Sequence, residues 1–339
     1  MRIQLDVVVW RGAIAESRHR IEAAVADPDG RLPAATAVPG LVTTFRSAAK
    51  PFQLLPLVER GHADRWGFGE EELAVMAASH TGSAYHLGLV TGILGRIGLA
   101  ERDLACGYHD PADPAALDHL RVHPESRSAL YNNCSGKHAG MLALALAEGW
   151  PTAGYQHADH PVQQLMRQSV AESCGLAPGD LLVAVDGCSV SVFALPLYAM
   201  ARGYARLAAA ADDGDARERA LARIRRAMLR HPRAVSGPGR LSSELTEKSG
   251  GRVLAKGGAE GLKCLALPER RLGVALKCED GQARALGPAV VALLERLGAL
   301  DAERLSALAE WREPVMKNAA GIEVGTLRAE IRSLAPAGA

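Results

Sequence analysis

Ser47 and Lys50 stand three residues apart in Thr44-Phe-Arg-Ser-Ala-Ala-Lys-Pro-Phe-Gln53, where an apolar helical pattern begins. Positions i and i+3 share one face of a helix, so the lysine amine can lie beside the serine hydroxyl. A serine is a poor nucleophile until a base takes its proton. A lysine can be that base when desolvation or a nearby cation lowers its pKa. The start of a helix also presents free backbone N–H groups, which suit a developing oxyanion. Ser-x-x-Lys is also an ordinary spacing for two surface residues, so it acquires chemical meaning only from its company.

Two further clusters follow apolar segments: Ala78-Ser-His-Thr-Gly-Ser83, and Leu254-Ala-Lys-Gly-Gly-Ala-Glu-Gly261 with Lys256 at a strand-like end. Glycines there let a substrate approach the backbone. A Ser-x-x-Lys on a helix, a serine-bearing loop and a Lys-Gly at a strand end, in that order, resemble the layout of serine β-lactamases and penicillin-binding proteins. Taken singly, Ser79 reads equally as a capping or turn residue, Lys256 as a surface cation and His80 as a satisfied loop histidine.

The fourth cluster, Tyr131-Asn-Asn-Cys-Ser-Gly-Lys-His-Ala-Gly140, sets Cys134, Lys137 and His138 at i, i+3 and i+4 around a helix start. Cys188 follows in Val185-Asp-Gly-Cys-Ser189. Two thiolates and a nitrogen suit tetrahedral Zn²⁺ with one position open. Ordinary zinc chemistry names His138 as the nitrogen, because a lysine must first lose its proton. Two alternatives stay open: buried free cysteines acting as small hydrophobes, or Cys134 as a nucleophile activated by His138.

The elements that must position these groups can be outlined. Leu5–Trp10 and Ile21–Ala26 read as strands, the second followed by the turn signal Asp27-Pro-Asp-Gly30, and a hairpin opens the chain. Residues 47–60 read as a helix with Pro51 tolerated in its first turn and Pro56 as a kink or interruption. Residues 69–78, 86–97, 136–148, 161–173, 195–211, 215–231 and 287–297 read as helices. The region 103–135 reads as loop-rich. Leu181–Val185 reads as a short buried strand, and Arg252–Ala255, Leu272–Lys277 and Gly321–Val324 as further strands. Strands at both ends and helices between predict an α/β (α+β) fold, a mixed sheet flanked by helices with a helical subdomain. The whole of 1–339 is expected to form a single catalytic unit, with strands mainly in 1–45 and 250–339 and a largely helical middle, 46–249.

Composition narrows the class of function. The 339 residues are 48% hydrophobic and 23% charged, enough for a substantial core. A net charge of +1 gives no field to recruit nucleic acid or an anionic membrane. No run is apolar enough to span a bilayer, and Met1-Arg-Ile-Gln-Leu-Asp6 lacks the pattern of a secretory signal, so a cytoplasmic location is expected. The six scattered cysteines then read as reduced thiols or metal ligands rather than a disulfide framework.

On these stretches the chain resembles the asparaginase II family of the Rhizobium etli type, the class 3 L-asparaginases. Phe45–Gln53, Ala78–Gly82, Tyr131–His138, Val185–Cys188 and Lys256–Gly261 carry the resemblance in order across most of the chain. It implies a serine β-lactamase/glutaminase-like fold, a homodimer, and hydrolysis of L-asparagine to L-aspartate and ammonia. It further implies one Ser-Lys pair of Ser47 and Lys50 and a second of Ser79 and Lys256, without ranking the two serines. Zn²⁺ would be held by Cys134, Lys137 and Cys188, with Lys137 displacing His138 as the nitrogen ligand. Arg46, His80, His138, Asp186 and Gly257 would face the substrate. The Lys-Gly-Gly motif departs by offering no hydroxyl at its middle residue. Competing readings are a glutaminase or a β-lactam-hydrolysing serine enzyme of the same fold, and a non-catalytic, zinc-containing amino-acid-binding protein.

Overall fold

The structure is a computed structural model that describes residues 1–334. The chain opens with β1 (Ile3–Arg11) and β2 (Ile14–Ala26), a hairpin closed by Gly12-Ala13 with Gly12 at φ 58°. Short β3 (Ala34–Ala35) and β4 (Val42–Thr44) follow. A 3₁₀ turn at Arg46–Ala49 runs directly into α1 (Lys50–Glu59). Then come α2 (His62–Arg65), α3 (Glu70–Met76), α4 (Ala84–Arg96), α5 (Pro114–Val122), α6 (Ser135–Glu148) and α7 (Pro161–Cys174). The hairpin β5 (Leu182–Val185) and β6 (Ser191–Pro196) precedes α8 (Leu197–Ala209), α9 (Ala216–Arg230), α10 (Pro232–Ser236) and α11 (Leu241–Lys248). The last part holds β7 (Leu254–Gly258), β8 (Leu262–Leu267), β9 (Leu272–Cys278), α12 (Leu286–Arg296), α13 (Ala302–Ala307), α14 (Ala309–Arg312), β10 (Val315–Lys317) and β11 (Glu323–Ser333).

These elements form two compact units. The first comprises residues 1–48, 195–209 and 244 onward. Its sheet runs β10-β11-β1-β2-β9-β8-β7, with β3 beside β2. The ladders of this sheet are antiparallel, and among the described residues the parallel component of the expected mixed sheet is an isolated bridge, Arg2 to Ala35. Helix α8 packs on β9, β2 and β8, while α12 packs on β11 and β1. The approach of α8 is set by Gly273: a Cβ there would collide with Ala201 O and Ala205 N of α8.

The second unit, residues 49–194 and 210–243, is mainly helical. Helix α1 lies at its centre against α9, α7 and α6, and every residue from Lys50 to Val58 is buried. A helix apolar on all sides belongs in a core. It also continues through Pro56. Pro56 has no N–H to give to the Phe52 carbonyl, and Ser169 of α7 supplies the missing donor at 2.7 Å.

The α/β class expected from the element pattern is the class observed, with several local differences. β5 is not buried: all four of its residues are exposed, Val185 to 78%. It is the outer strand of its ladder, and an apolar run of four does not reveal whether its faces are covered. β8 was not readable as a strand. Leu262-Lys-Cys-Leu-Ala-Leu267 lacks β-branched residues, and its extended state is imposed by the meander with β7 and β9. β11 is eleven residues long where only 321–324 was expected, because its charged, half-exposed positions hide the alternation. Within 103–135 lies α5, capped by Asp113 Oδ1 accepting from Ala116 N at 2.9 Å with Pro114 in the first turn.

Candidate active site

Within the helical unit, three loops converge around Lys50. Lys50 opens α1, is buried, and donates from Nζ to Ala78 O and, at 3.1 Å, to Ser79 Oγ. The partner of this lysine inside its own unit is therefore Ser79, a pairing that the spacing of Ser47 and Lys50 did not suggest. Ser79 is held by its N–H donating to Val235 O at 2.9 Å, and the next residue's N–H donates to Asn133 O at 3.2 Å. Burial lowers the Lys50 pKa, the Lys137 charge adds to this, and Cys134 and Cys188 oppose it. Lys50 thus combines hydrogen-bond reach to a serine with a weakened hold on its proton.

Cys134 and Lys137 come from the start of α6. The Asn132 side chain builds the preceding turn: Oδ1 accepts from Cys134 N at 2.9 Å, and Nδ2 donates to Cys106 O at 2.9 Å. Gly136 lets α6 settle on α3, since a Cβ there would strike Val75 O. Cys188 sits in the tight β5–β6 turn, where Asp186 N donates to Val190 O at 2.8 Å and Ser189 takes φ 73°. Lys137 Nζ donates to Cys188 Sγ at 2.9 Å.

Cys134 Sγ donates to Asn133 Oδ1 at 3.1 Å, and the two thiols shift one another in opposite directions. A hydrogen bond from Cys188, followed by the Lys50 and Lys137 charges, holds Cys134 well below the usual thiol range against its burial. The hydrogen bond to Cys134 and burial push Cys188 up. Burial would lower Lys137, but the Cys134 and Cys188 charges override it and raise it to about 12. Two sulfurs and an amine in contact with one of them are a donor set of the kind that fits Zn²⁺. The amine must first give up its proton. His138 does not join them: among the described residues, the group of His, Cys, Asp or Glu with metal-ligand proximity is His19, Cys278 and Asp280.

The two histidines expected at the substrate are enclosed. His80 is 3% exposed: Gly82 N donates to its Nδ1 at 3.1 Å, so its proton resides on Nε2 and goes to Ser135 Oγ at 2.9 Å. Burial, then His86 and Lys50, keep it far below the usual imidazole pKa. With both nitrogens engaged, it acts on this site through the loop it braces rather than by a free ring nitrogen. His138 is 0% exposed, shares a 2.6 Å hydrogen bond with Tyr155 Oη, and is driven to about 3 by burial and Lys137. Asp186 is half-buried, with Oδ1 accepting from Gly187 N at 2.9 Å.

In the sheet unit, Arg46 and Ser47 lie in the turn before α1. Arg46 takes φ 44°, a left-handed conformation costly for a residue with a Cβ. Tyr204 of α8 anchors the turn: its ring meets Phe45 edge-on at 6.2 Å, and its hydroxyl donates to Ala48 O at 2.8 Å. Lys256 is buried on β7, with Nζ donating to Gly257 O at 3.0 Å. Gly258 is a cradle for Arg46, because a Cβ there would lie 3.3 Å from Arg46 Cβ. Asn132, Ser135, Tyr155 and Tyr204 escaped the sequence reading. Only the Asn-Asn before Cys134 carried a signal, as a turn.

The family model for L-asparaginase II matches residues 7–329, and the chain belongs to that family. It is an amidohydrolase. No curated protein matches it. Among solved structures it is similar to Mglu, at 18% identity and a TM-score of 0.38 over 86% of this chain and 70% of that one. Mglu in its glutamate form matches at 18% identity and 0.39, with this chain spanning 64% of its length. A β-lactamase from Mycobacterium bovis matches at 13% identity and 0.33, covering 86% of this chain and 95% of that one. Likenesses this distant carry no argument about fold or activity.

Proposed function

We propose that this protein hydrolyses the side-chain amide of L-asparagine to L-aspartate and ammonia through a lysine-activated serine, on a β-lactamase-like scaffold of the class 3 type. The observation that carries it is the buried Lys50 amine hydrogen-bonded to the Ser79 hydroxyl at 3.1 Å, in a chain of this family. Lys50 in its neutral form takes the hydroxyl proton, and serine Oγ bonds to the amide carbon. The C–O π electrons move to the oxyanion, which backbone N–H groups stabilise, each donor contributing about 3–4 kcal/mol in well-built sites. When the tetrahedral adduct collapses, the C–N bond breaks and the Lys50 proton leaves with ammonia. Water, deprotonated by the same amine, then bonds to the acyl carbon, the ester C–O bond breaks, and the Lys50 ammonium returns its proton to the departing serine oxygen. Ser47, in the 3₁₀ turn that leads into α1, is the nucleophile on the Ser-x-x-Lys argument. The Lys50–Ser79 hydrogen bond favours a second reading in which Ser79 carries the acyl group. Lys256 supplies a second cation on either reading, and Arg46, Asp186 and Gly257 remain proposed substrate contacts. Zn²⁺, when bound, would be held by Cys134, Lys137 and Cys188 and would polarise or orient the substrate. A cytoplasmic homodimer belongs to the same proposal.

Ammonia release from L-asparagine and L-glutamine should be measured for wild type, Ser47→Ala and Ser79→Ala, with mass spectrometry of quenched enzyme to locate the acyl group. Release from asparagine, lost in one serine variant, supports the reading and names the nucleophile. Release predominantly from glutamine would make it a glutaminase. Release from neither amide, with tight asparagine binding retained, would replace it with the binding-protein reading. Stoichiometric zinc in a Cys134→Ala/Cys188→Ala protein would remove the metal assignment.

A further inference from the structure

His19 on β2, and Cys278 and Asp280 at the end of β9, place one ligand-type atom each within 4.8 Å of one another. His19 and Cys278 are buried, while the Asp280 side chain is 45% exposed. The hydrogen bonds decide what this cluster is. Arg284 Nε donates to His19 Nε2 at 3.0 Å, so that nitrogen is an acceptor and the imidazole proton sits on Nδ1. His19 Nδ1 then donates to Asp280 Oδ2 at 2.5 Å. Asp280 Oδ1 accepts from Cys278 Sγ at 2.9 Å and from Gln282 N at 2.9 Å. A metal on Nδ1 would force the remaining imidazole proton onto Nε2, against the guanidinium. The cluster is a directed chain of donors ending on one carboxylate.

That chain lies where the turn after β9 meets the β7–β8 turn. Cys278 N donates to Gly261 O at 2.8 Å. Gly261 takes φ 65°, and a Cβ on it would lie 2.7 Å from Cys278 Cβ and 3.0 Å from Gly281 C. A Cβ on Gly281 would lie 2.8 Å from Glu260 Oε2. The two turns therefore interlock, and from the first of them β7 runs back to Lys256, in register with Cys264. We infer that Arg284, His19, Asp280 and Cys278 form a positioning network that fixes the turn after β9 to β2 and, through the contact of that turn with Gly261, sets the β7–β8 turn of the Lys256-bearing hairpin. This rests on the proposed amidase reading for its effect on catalysis, and on geometry alone for its effect on the hairpin.

Asp280→Asn tests it, since an amide cannot accept from all three donors. Its kcat on L-asparagine should fall at least about tenfold with KM within about twofold, as a displaced catalytic lysine would require. Hydrogen exchange of the 257–261 amides should quicken at least about tenfold, with α1 unchanged. Cys278→Ser keeps a donor to Asp280 and should retain wild-type kcat and exchange. Leu265→Ala, a buried core change on β8, should lower the melting temperature while leaving kcat within about twofold. Should Asp280→Asn not fold, His19→Leu, which can neither accept nor donate, severs the Arg284–Asp280 link and carries the same expectations. Unchanged exchange in the hairpin would overturn the inference. So would an equal kcat loss in Leu265→Ala, or a bound zinc that His19→Ala alone removes. If wild type releases no ammonia but the exchange difference persists, the amidase reading falls and the network stands.

Discussion

Lys50 is an amine taken out of water and left with a serine hydroxyl, a carbonyl and a thiol for company. Its charge is disfavoured by burial and restored in part by Cys134, which is the compromise that proton transfer needs. Lys50→Arg separates charge from basicity, because a guanidinium keeps the positive charge but does not deprotonate. Ammonia release by Lys50→Arg should fall by about 10²-fold or more with the fold intact by circular dichroism. Activity near wild type would mean that Lys50 supplies charge alone. The Ser-x-x-Lys spacing was readable because it is local. The Lys50–Ser79 contact was not, since twenty-nine residues separate the pair and the path of the intervening loop decides it. The proposed zinc donors divide similarly: Cys134 and Lys137 lie one turn apart at the start of α6, whereas Cys188 arrives on a hairpin whose turn buries it.

At the scale of elements, α1 shows how a helix survives a proline that sequence rules place against it. The Phe52 carbonyl loses its helical donor at Pro56 and gains Ser169. Ser169→Ala should therefore cost about 0.5–1.5 kcal/mol, the net contribution of an intramolecular hydrogen bond. In Pro56→Ala/Ser169→Ala, where a backbone N–H returns, the loss should be smaller than the sum of the single changes; urea melts of the four proteins measure it. Additive effects would mean that Phe52 does not need the hydroxyl. The turn after β9 gives a pH signature. Burial alone would raise the Asp280 pKa, but hydrogen bonds from Cys278, Gln282 N–H and His19 lower it to about 2. A carboxyl depressed on folding stabilises the folded state above its unfolded pKa of about 4, and that contribution fades as pH falls toward 2. Between pH 5 and 2 the melting temperature of Asp280→Asn should fall less steeply than that of wild type. Parallel curves would show that Asp280 is not held in this way.

For the molecule as a whole, the chain builds its sheet from both ends. β11 pairs with β1 from Ile3–Ser333 to Trp10–Thr326, so the last described strand covers the edge of the first. A protein ending at Gly321 would expose the β1 edge, with Val7, Val8 and Val9 beside it, and should melt lower and self-associate on size-exclusion chromatography. A monodisperse truncation with an unchanged melting temperature would make β11 dispensable. The six cysteines are all buried, and among the described residues none is joined in a disulfide. Among the described residues no helix is long and apolar enough to cross a membrane.

By itself the sequence determined the α/β class, most helices, the opening hairpin and the family. These depend on periodicity, capping and short motifs, which act between residues a turn or two apart. The tertiary structure decided which serine meets Lys50, that His80 and His138 are enclosed, that β5 is exposed, and that His19 reaches Asp280 across 261 residues. Those outcomes follow from packing and from the satisfaction of buried donors and acceptors, conditions that exist only once distant segments are brought together.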